Sequence, residues 1–385
     1  MQQRLLIVTT APETIAFILQ SQPKYLNQYF DVSLATSPGR EIEYLLAEKV
    51  PLHLLKMERG ISPLEDLISL IRMTILLRKI RPNIIHSYTP KAGLLSMLAA
   101  RLCGVPIRIH TFTGLIWPTT TGWRRKLLMT TDRILCFCAT RLIPEGLGVK
   151  KDLQKFNITS KPLQVIGYGN IAGVDTSYFL PTHEELIEAA NDLRQSNNIK
   201  NEEFVYVFVG RLNRDKGIRE LLLAFEQLPD NSQLLIVGGI DKSAPISEQE
   251  LKIMQEHPRI HWLGFQSDIR PALLAADIMV LPSYREGFPN VILQAGAMEL
   301  PVIATDISGC NEVIEPGLNG WLVPPRNTET LSEAMRTALE TPKDKLRVMG
   351  KSARACILER FERQGHWKRM LAFYRSLILQ SNLKN

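Results

Sequence analysis

The chain has 385 residues, of which 45% are hydrophobic and 22% are charged, close to the average for soluble proteins. This length predicts two domains of roughly 150–200 residues, and the lack of any uncharged apolar stretch of about 18 residues argues against a membrane-spanning helix. The net charge of +7 is uneven, because residues 1–180 hold 22 Lys and Arg against 12 Asp and Glu, whereas residues 181–385 hold 24 against 27. The basic half indicates contact with an anionic surface or acceptor, unless it is simply a solvated face.

Short apolar runs alternate with longer amphipathic stretches along the chain. The runs typical of buried parallel strands are Leu5–Thr9, Asp31–Ala35, Ile84–Ser87, Ile107–Phe112, Leu142–Pro144, Leu163–Ile166, Phe204–Val209, Leu234–Val237, Ile260–Leu263, Ile278–Leu281 and Val302–Thr305. The stretches with helical periodicity are Ala92–Leu102, Glu184–Leu193, Ile218–Gln227, Val291–Met298 and Leu331–Leu339. Alternation of this kind predicts an α/β fold with two doubly wound domains, divided near Val174–Phe179.

The five cysteines are scattered and odd in number, which argues against a disulfide framework. Cys136 and Cys138 flank Phe137 in an apolar run, so a strand there would place both thiols on the same side. No second Cys or His pair at ligand spacing follows, so buried reduced thiols are favoured over a zinc site. These features predict a cytosolic protein.

The first candidate site is the stretch after the strand Phe204–Val209. Gly210 permits close approach of a ligand to the backbone, and a helix that begins near Gly217 offers free N–H groups at its positive end. Arg211 and Lys216 add two cations at the same point. This combination is typical of a diphosphate site, although an ordinary turn with solvated basic residues has the same pattern.

A second strand, Ile278–Leu281, also leads into a polar loop and a helix. Glu286 would lie at the carboxyl end of this strand, where its carboxylate can accept hydrogen bonds from sugar hydroxyls or simply favour a helix N-terminus. Gln294 follows eight residues later, within the helix. We expect the turn between them to contact phosphate or sugar; it consists of Gly287, Phe288, Pro289, Asn290 and Val291.

These stretches together resemble the family 4 glycosyltransferases of the GT-B fold. The resemblance rests on Gly210–Arg211 with Lys216–Gly217 and on the Glu-Gly-Phe-Pro-Asn run that starts at Glu286. It continues through Gly173–Asp175, Pro301–Asp306, Asn311–Ile314 and Gly320–Val323. It implies two facing Rossmann-like domains with an interdomain cleft. Residues 1–180 would bind the acceptor and residues 181–385 the nucleotide sugar, with the last helix free to pack back on the N-terminal domain.

The same resemblance implies roles for single residues. Arg211 and Lys216 would bind the donor diphosphate and stabilise the leaving group, and Glu286 would contact the donor sugar. The second glutamate of the family motif, which holds the ribose hydroxyls, is replaced by Gln294, which keeps an acceptor oxygen but loses the charge. The turn with Gly264 and Phe265 resembles the loop that meets the base through backbone groups.

In the N-terminal half, Ser87–Gly93 and Arg108–Gly114 resemble a branch of the family that builds surface polysaccharides on lipid carriers. Many relatives place a histidine just before the glycine of the second loop. Here Thr113 stands in that place and His110 lies three residues earlier, so His110 is a candidate catalytic residue or else a satisfied core residue. The glycine pair usual after the first strand is replaced by Thr9–Pro12.

The carboxylate pair of metal-dependent glycosyltransferases, Asp-x-Asp at the end of a strand, is missing from the sequence. Arg211 and Lys216 can supply the same positive charge. We therefore expect an enzyme that needs no metal and no cofactor other than its donor substrate.

Two N-terminal stretches suit a membrane surface. Leu64–Ile80 mixes large aliphatic residues with Arg72, Arg78 and Lys79, but an apolar helical face in an α/β domain normally packs on its own sheet. Trp117–Lys126 combines aromatic and basic residues, which suits an anionic interface. We expect peripheral attachment to the inner face of the cytoplasmic membrane through the second stretch.

The sequence thus predicts a retaining glycosyltransferase that moves a sugar from a nucleoside diphosphate, taken to be UDP, to a glycan or polyprenyl-diphosphate-linked acceptor. The first alternative is a UDP-sugar epimerase of similar two-domain fold, which would need no acceptor. The second is a non-catalytic nucleotide-sugar binder, suggested by Gln294 and Thr113. Nucleic-acid binding is disfavoured because the basic residues form no known recognition motif.

Overall fold

The computed structural model describes residues 2–58, 60, 62–241 and 244–382. In this part of the chain the strands form two parallel sheets of six strands each. The strands are β1 (Arg4–Val8), β2 (Asp31–Thr36), β3 (Leu52–Leu54), β4 (Ile84–Tyr88), β5 (Ile107–Phe112), β6 (Arg141–Pro144), β7 (Phe204–Val209), β8 (Ser232–Val237), β9 (Ile260–Gly264), β10 (Ile278–Leu281), β11 (Val302–Thr305) and β12 (Gly320–Val323).

Helices connect the strands and cover the sheets. They are α1 (Gln22–Leu26), α2 (Ile42–Leu46), α3 (Pro63–Ile80), α4 (Pro90–Leu102), α5 (Gly122–Cys138), α6 (Leu147–Lys155), α7 (Glu184–Ser196), α8 (Ile218–Phe225), α9 (Glu248–Glu256), α10 (Arg270–Leu274), α11 (Asn290–Ala297), α12 (Thr328–Glu340), α13 (Lys343–Arg360) and α14 (Arg363–Asn382). A π-helix spans Thr14–Ile18, and 3-10 turns span Trp117–Thr119 and Arg214–Lys216.

The two sheets share one topology. The first has the strand order β3-β2-β1-β4-β5-β6, and the second has the order β12-β11-β10-β7-β8-β9, which is the same winding viewed from the opposite edge. The direction of winding reverses between β1 and β4 and again between β7 and β10. This confirms the predicted α/β fold with two Rossmann-like domains, in which ligands bind at the carboxyl ends of strands beside the reversal.

The chain divides into two compact units after Gly173. The first unit contains β1 to β6 and regains the C-terminal helix α14, whose Tyr374 is fully buried in the core of that unit. The second unit is Val174–Glu362. At the start of the second unit, Val174 N donates to Phe361 O (2.8 Å) near the end of the same unit.

Two local expectations were wrong, and two strands were missed. The run Leu163–Ile166 is not a strand in the described structure, where Leu163 makes an isolated bridge to Leu142. The edge strands β3 and β12 were not predicted. Cys136 and Cys138 lie on α5 rather than on a strand, and both thiols are buried and free, as is Cys310.

Candidate functional site

The residues predicted to bind the donor follow strands of the second sheet. Gly210 follows β7, Glu286 lies in the loop after β10, and Gly264 ends β9. Because β7 and β10 are paired in register at Tyr206 and Ile278, the loops after them start side by side at the reversal of strand order. The structure therefore brings the two predicted loops together.

Two glycines of this site, Gly217 and Gly238, pack directly against the backbone of neighbouring loops. Gly217 has a φ of +68°, and a Cβ at this position would lie 2.1 Å from the carbonyl oxygen of Pro282 at the end of β10. A Cβ on Gly238, after β8, would lie 1.9 Å from the carbonyl oxygen of Gly210. Since neither position can hold a side chain without moving a neighbouring loop, these glycines allow the loops to pack directly on each other.

Both predicted cations lie beside carboxylates. Lys216 Nζ lies 2.5 Å from Glu286 Oε1, and the two side chains are 18% and 12% exposed. Arg211 Nη1 lies 3.0 Å from Asp241 Oδ2, with Arg211 69% exposed and Asp241 12% exposed. Lys216 is thus enclosed between two loops, whereas the guanidinium of Arg211 reaches into solvent.

A second set of contacts ties the same two loops together. Tyr284 N donates to the carbonyl oxygen of Asp215 (2.7 Å), and Arg285 Nη2 lies 2.8 Å from a carboxylate oxygen of Asp215. The hydroxyl of Tyr284 donates to Glu220 on α8, and the guanidinium of Arg326 lies 4.6 Å from the Tyr284 ring centroid. Burial, followed by this hydrogen bond, raises the pKa of Tyr284 well above its usual value, so the hydroxyl remains a donor.

The turn that opens α11 is partly buried. Phe288 is 6% exposed and its ring centroid lies 5.5 Å from that of Phe361, so its side chain belongs to the core. Pro289, at the N-cap position, is also buried, whereas Gly287, Asn290 and Val291 are half-buried. Gln294 is half-buried on the same helix, one turn further on.

The loop after β9 is open. Gly264 has a φ of +67°, and its carbonyl oxygen accepts from Gly238 N (2.8 Å). Phe265 follows with 75% of its surface exposed. An exposed aromatic ring beside backbone groups is a surface on which a flat base can stack.

Sequence reasoning missed further polar groups at this sheet edge. Asp241 Oδ2 accepts from Asn213 Nδ2 (3.3 Å) as well as pairing with Arg211. Within the described structure, three oxygen atoms at or near the ends of β7, β10 and β11 are buried without a hydrogen-bond partner: Asn213 Oδ1, Ser283 Oγ and Ser308 Oγ. Atoms of this kind also occur elsewhere in the described structure, and at this edge they are candidate contacts for a bound molecule.

Cys310 is a further neighbour of the ion pair. Burial raises the pKa of the Cys310 thiol well above its usual value, and the nearby carboxylate of Glu286 adds to the shift. The thiol is therefore protonated and packs as a small apolar group. In the residues that the structure describes, His, Cys, Asp and Glu side chains do not gather in groups of three or more that could hold a metal ion.

His110 lies elsewhere, on β5 of the first unit. It is 1% exposed, its Nδ1 lies 2.9 Å from Ser87 Oγ, and its ring contacts Phe112 edge-on. Burial lowers the pKa of His110 to about 3, so the imidazole is neutral. A Cβ on Gly93 would lie 2.4 Å from this ring, which shows how closely α4 packs against it.

The predicted membrane stretch divides into a buried and an exposed part. Trp117 is 1% exposed and donates from Nε1 to Asp132 (2.9 Å), so it is a core residue. Trp123 is 66% exposed, and Arg124 and Lys126 are exposed as well. All three lie near the start of α5. Across the described ranges, every helix is too short or too polar to cross a bilayer.

Comparison with known proteins gives relatives that match most or nearly all of the chain. The capsular polysaccharide biosynthesis glycosyltransferase CapM of Staphylococcus aureus is 28% identical over 388 residues, covering 99% of each chain. An Escherichia coli UDP-Gal:alpha-D-GlcNAc-diphosphoundecaprenol alpha-1,3-galactosyltransferase is 29% identical over 345 residues, covering 87% of this chain and 86% of its own. Among solved structures, HepE of Anabaena in complex with UDP has a TM-score of 0.81 at 19% identity, covering 97% of this chain and all of its own, and so shares the fold.

Two family models match the chain, one in each half. "Glycosyl transferases group 1" matches residues 189–355, and "Glycosyl transferase 4-like domain" matches residues 24–169. Together they confirm the resemblance to glycosyltransferases that the sequence motifs carry. The chain is a glycosyltransferase with a glycosyl transferase 4-like domain and a glycosyl transferases group 1 domain, and its fold is that of the GT-B glycosyltransferases.

Proposed function

We propose that this glycosyltransferase moves a sugar from a UDP-sugar to a lipid-linked glycan acceptor during surface polysaccharide synthesis. The name of the Escherichia coli relative specifies a UDP-sugar and an acceptor on diphosphoundecaprenol, and the HepE structure contains UDP. The observation in this chain that carries the proposal is the carboxyl edge of the second sheet. It combines two cations with buried oxygens that lack donors, and a diphosphate and sugar hydroxyls can satisfy both.

In this proposal the donor takes over contacts that carboxylates make. The diphosphate oxygens replace Asp241 and Glu286 as partners of Arg211 and Lys216, because phosphate and carboxylate oxygens accept the same charge-assisted hydrogen bonds. Glu286 then accepts from hydroxyls of the donor sugar. Both cations therefore keep an anionic partner when the donor binds, and Lys216 is not left unpaired in its partly enclosed position.

The remaining contacts of the donor follow from the half-buried positions around this pair. The Gln294 side chain accepts from the ribose hydroxyls, and the base lies against Gly264 and Phe265. Backbone groups of Gly287, Asn290 and Val291 contact phosphate or sugar at the start of α11. Phe288 and Pro289 shape the turn.

The proposed reaction retains the anomeric configuration. The acceptor hydroxyl oxygen attacks the anomeric carbon on the face from which the diphosphate leaves, and the bond between that carbon and the phosphate oxygen breaks. The proton of the acceptor hydroxyl passes to the departing phosphate, and UDP is released. Arg211 and Lys216 stabilise the negative charge that develops on the diphosphate, so the reaction proceeds without a metal ion.

His110 is left out of this reaction. A neutral imidazole that is 1% exposed and contacts Ser87 and Phe112 is typical of a core residue. The first unit instead binds the acceptor. Its exposed aromatic and basic residues, including Trp123 and Arg124, attach the enzyme to the inner face of the cytoplasmic membrane.

A donor panel with and without lipid-linked acceptors tests the proposed function. We expect release of UDP from one UDP-sugar only when an acceptor is present. Conversion of a UDP-sugar without acceptor would indicate an epimerase. Binding of UDP-sugar without turnover on any acceptor would indicate a non-catalytic binder.

A further inference from the structure

Helix α3 has two apolar faces. Met73 and Leu77 point into the core of the first unit and are 0% and 1% exposed. On the opposite side Leu64, Ile68, Ile71 and Ile75 are 78%, 40%, 53% and 61% exposed. We call these four residues the α3 face. Their spacing of four, three and four places them in one stripe along the helix, so the expectation that the apolar residues of this stretch pack on the sheet holds for one side only.

Cations border this stripe. Arg72 and Lys79 lie on one side of it by helical position and Arg78 on the other, and all three are exposed. The first turn holds two carboxylates: Asp66, which forms an ion pair with Lys91 at 2.6 Å, and Glu65, which is half-buried. An apolar stripe with basic borders is typical of helices that lie in the interface of an anionic bilayer.

The apolar and basic surface continues beyond α3. Helices α3 and α5 both pack on α4, and all three contribute to the core on the same side of the first sheet. The outer side of α5 carries Trp123, Ile134 and Phe137, which are 66%, 41% and 63% exposed. The guanidinium of Arg101, at the end of α4, lies 4.3 Å from the Phe137 ring centroid. The carboxylate of α5, Asp132, is turned inward and buried.

We propose that the α3 face inserts into an anionic lipid surface, with the outer side of α5 beside it. The basic borders select this occupant over a second copy of the chain, because two copies joined through the α3 face would bring cations against cations. This proposal rests on the proposed function, because a lipid-linked acceptor lies at such a surface. Vesicle binding itself is measured without donor or acceptor.

Vesicle sedimentation of the full chain tests this surface. The vesicles contain phosphatidylcholine alone or phosphatidylcholine with phosphatidylglycerol, at low and at high salt. The test variant replaces Ile68, Ile71 and Ile75 by Ser. The control variant replaces three exposed aliphatic residues of the second unit by Ser: Leu223, Val348 and Leu358. A third variant replaces Arg124, Arg125 and Lys126 by Ser.

The wild type should bind the anionic vesicles, partly release at high salt, and keep a salt-resistant fraction. The α3 variant should lose this salt-resistant fraction, because apolar insertion is not screened by salt. Its affinity for the anionic vesicles should fall at least about tenfold. The control should bind like the wild type, and the basic variant should lose mainly the salt-sensitive part. Ile71→Ser alone should reduce vesicle binding in the same direction but by a smaller factor. The melting temperatures of all variants should match that of the wild type.

Wild-type binding by the α3 variant, or equal binding to both vesicle types, would overturn the proposal. A wild-type dimer that the α3 substitutions dissociate, without vesicle binding, would assign the face to a second copy instead. UDP-sugar turnover is measured separately. Absence of turnover on any acceptor would contradict the proposed function but would leave the vesicle result unchanged.

Discussion

Among single residues, Lys216 and Arg211 are the most direct test of the donor site. Replacing either by Ala should cost on the order of 2–4 kcal/mol of transition-state stabilisation, because each faces the charge that develops on the leaving diphosphate. The measurement is kcat/KM for UDP release. Lys252→Ala is a matched control, since Lys252 is an exposed cation of the same unit, 3.8 Å from Glu256. Turnover near that of the control in both variants would remove these residues from the site.

The same two cations lead to a prediction about metals. Turnover should persist in excess chelator, because Arg211 and Lys216 supply fixed positive charge to the diphosphate. The measurement compares initial rates before and after exhaustive chelation. Complete loss that magnesium or manganese restores would show that a cation holds the diphosphate in their place.

Asp132 predicts a pH dependence of stability. Burial raises its pKa to about 6, although Trp117 Nε1 donates to it, whereas the pKa of an aspartate in an unfolded chain is about 3.9. Between these values the folded protein holds a proton that the unfolded chain has released. The contribution of Asp132 to stability is therefore fully present below about pH 4 and is lost as the pH rises through about 6.

Asp132→Asn removes this titration. Between pH 4 and 7 the wild type should lose roughly 1–3 kcal/mol more unfolding free energy than the variant does. Urea unfolding across this pH range measures the difference. Parallel pH profiles for the two proteins would show that Asp132 does not titrate in this window.

The residue types at the site could be predicted, but their partners could not. Gly210, Arg211, Lys216 and Glu286 follow apolar runs in the sequence, so their place at strand ends can be inferred. The pairing of Arg211 with Asp241 depends on β8 lying next to β7, which the order of residues does not specify.

At the scale of elements, α14 is joined to the first sheet by a buried polar contact. Tyr374 OH lies 2.6 Å from His86 Nδ1, and His86 Nε2 lies 2.7 Å from Thr111 Oγ1. Tyr374→Phe should destabilise the protein by about 1–2 kcal/mol, because His86 Nδ1 loses its shorter hydrogen bond and keeps only the Tyr88 hydroxyl, 3.4 Å away. Thermal or urea unfolding measures the loss. Tyr44→Phe, at a 53% exposed position, should have little effect, and equal effects of the two changes would contradict this account.

Most of the strands that the sequence pattern predicted are buried along most of their length. β7 is buried along its whole length and reads as a continuous apolar run. β3 has three residues at a sheet edge, too few for a pattern to emerge, and β12 begins with a glycine. The apolar run at Cys136–Cys138 is the last turn of α5, because the helical pattern begins much earlier, at Gly122. The three residues taken alone are too few to distinguish this helix from a strand.

At the scale of the whole molecule, the chain leaves its first unit at Gly173 and returns to it with α14. The uneven charge follows a similar division, because the excess of basic over acidic residues lies in the half that carries the α3 face. The sequence located this charge but not the exposed apolar stripe, because an apolar period alone does not tell which side of a helix meets the sheet.

Transfer of a sugar, with retention, from a UDP-sugar to a lipid-linked acceptor is tested most directly by proton NMR of the purified product. The anomeric coupling of the transferred sugar is compared with that of the donor. We predict a new glycosidic linkage with the same anomeric configuration as the UDP-sugar. A product of inverted configuration, or conversion of the UDP-sugar without any linkage to the acceptor, would contradict the account.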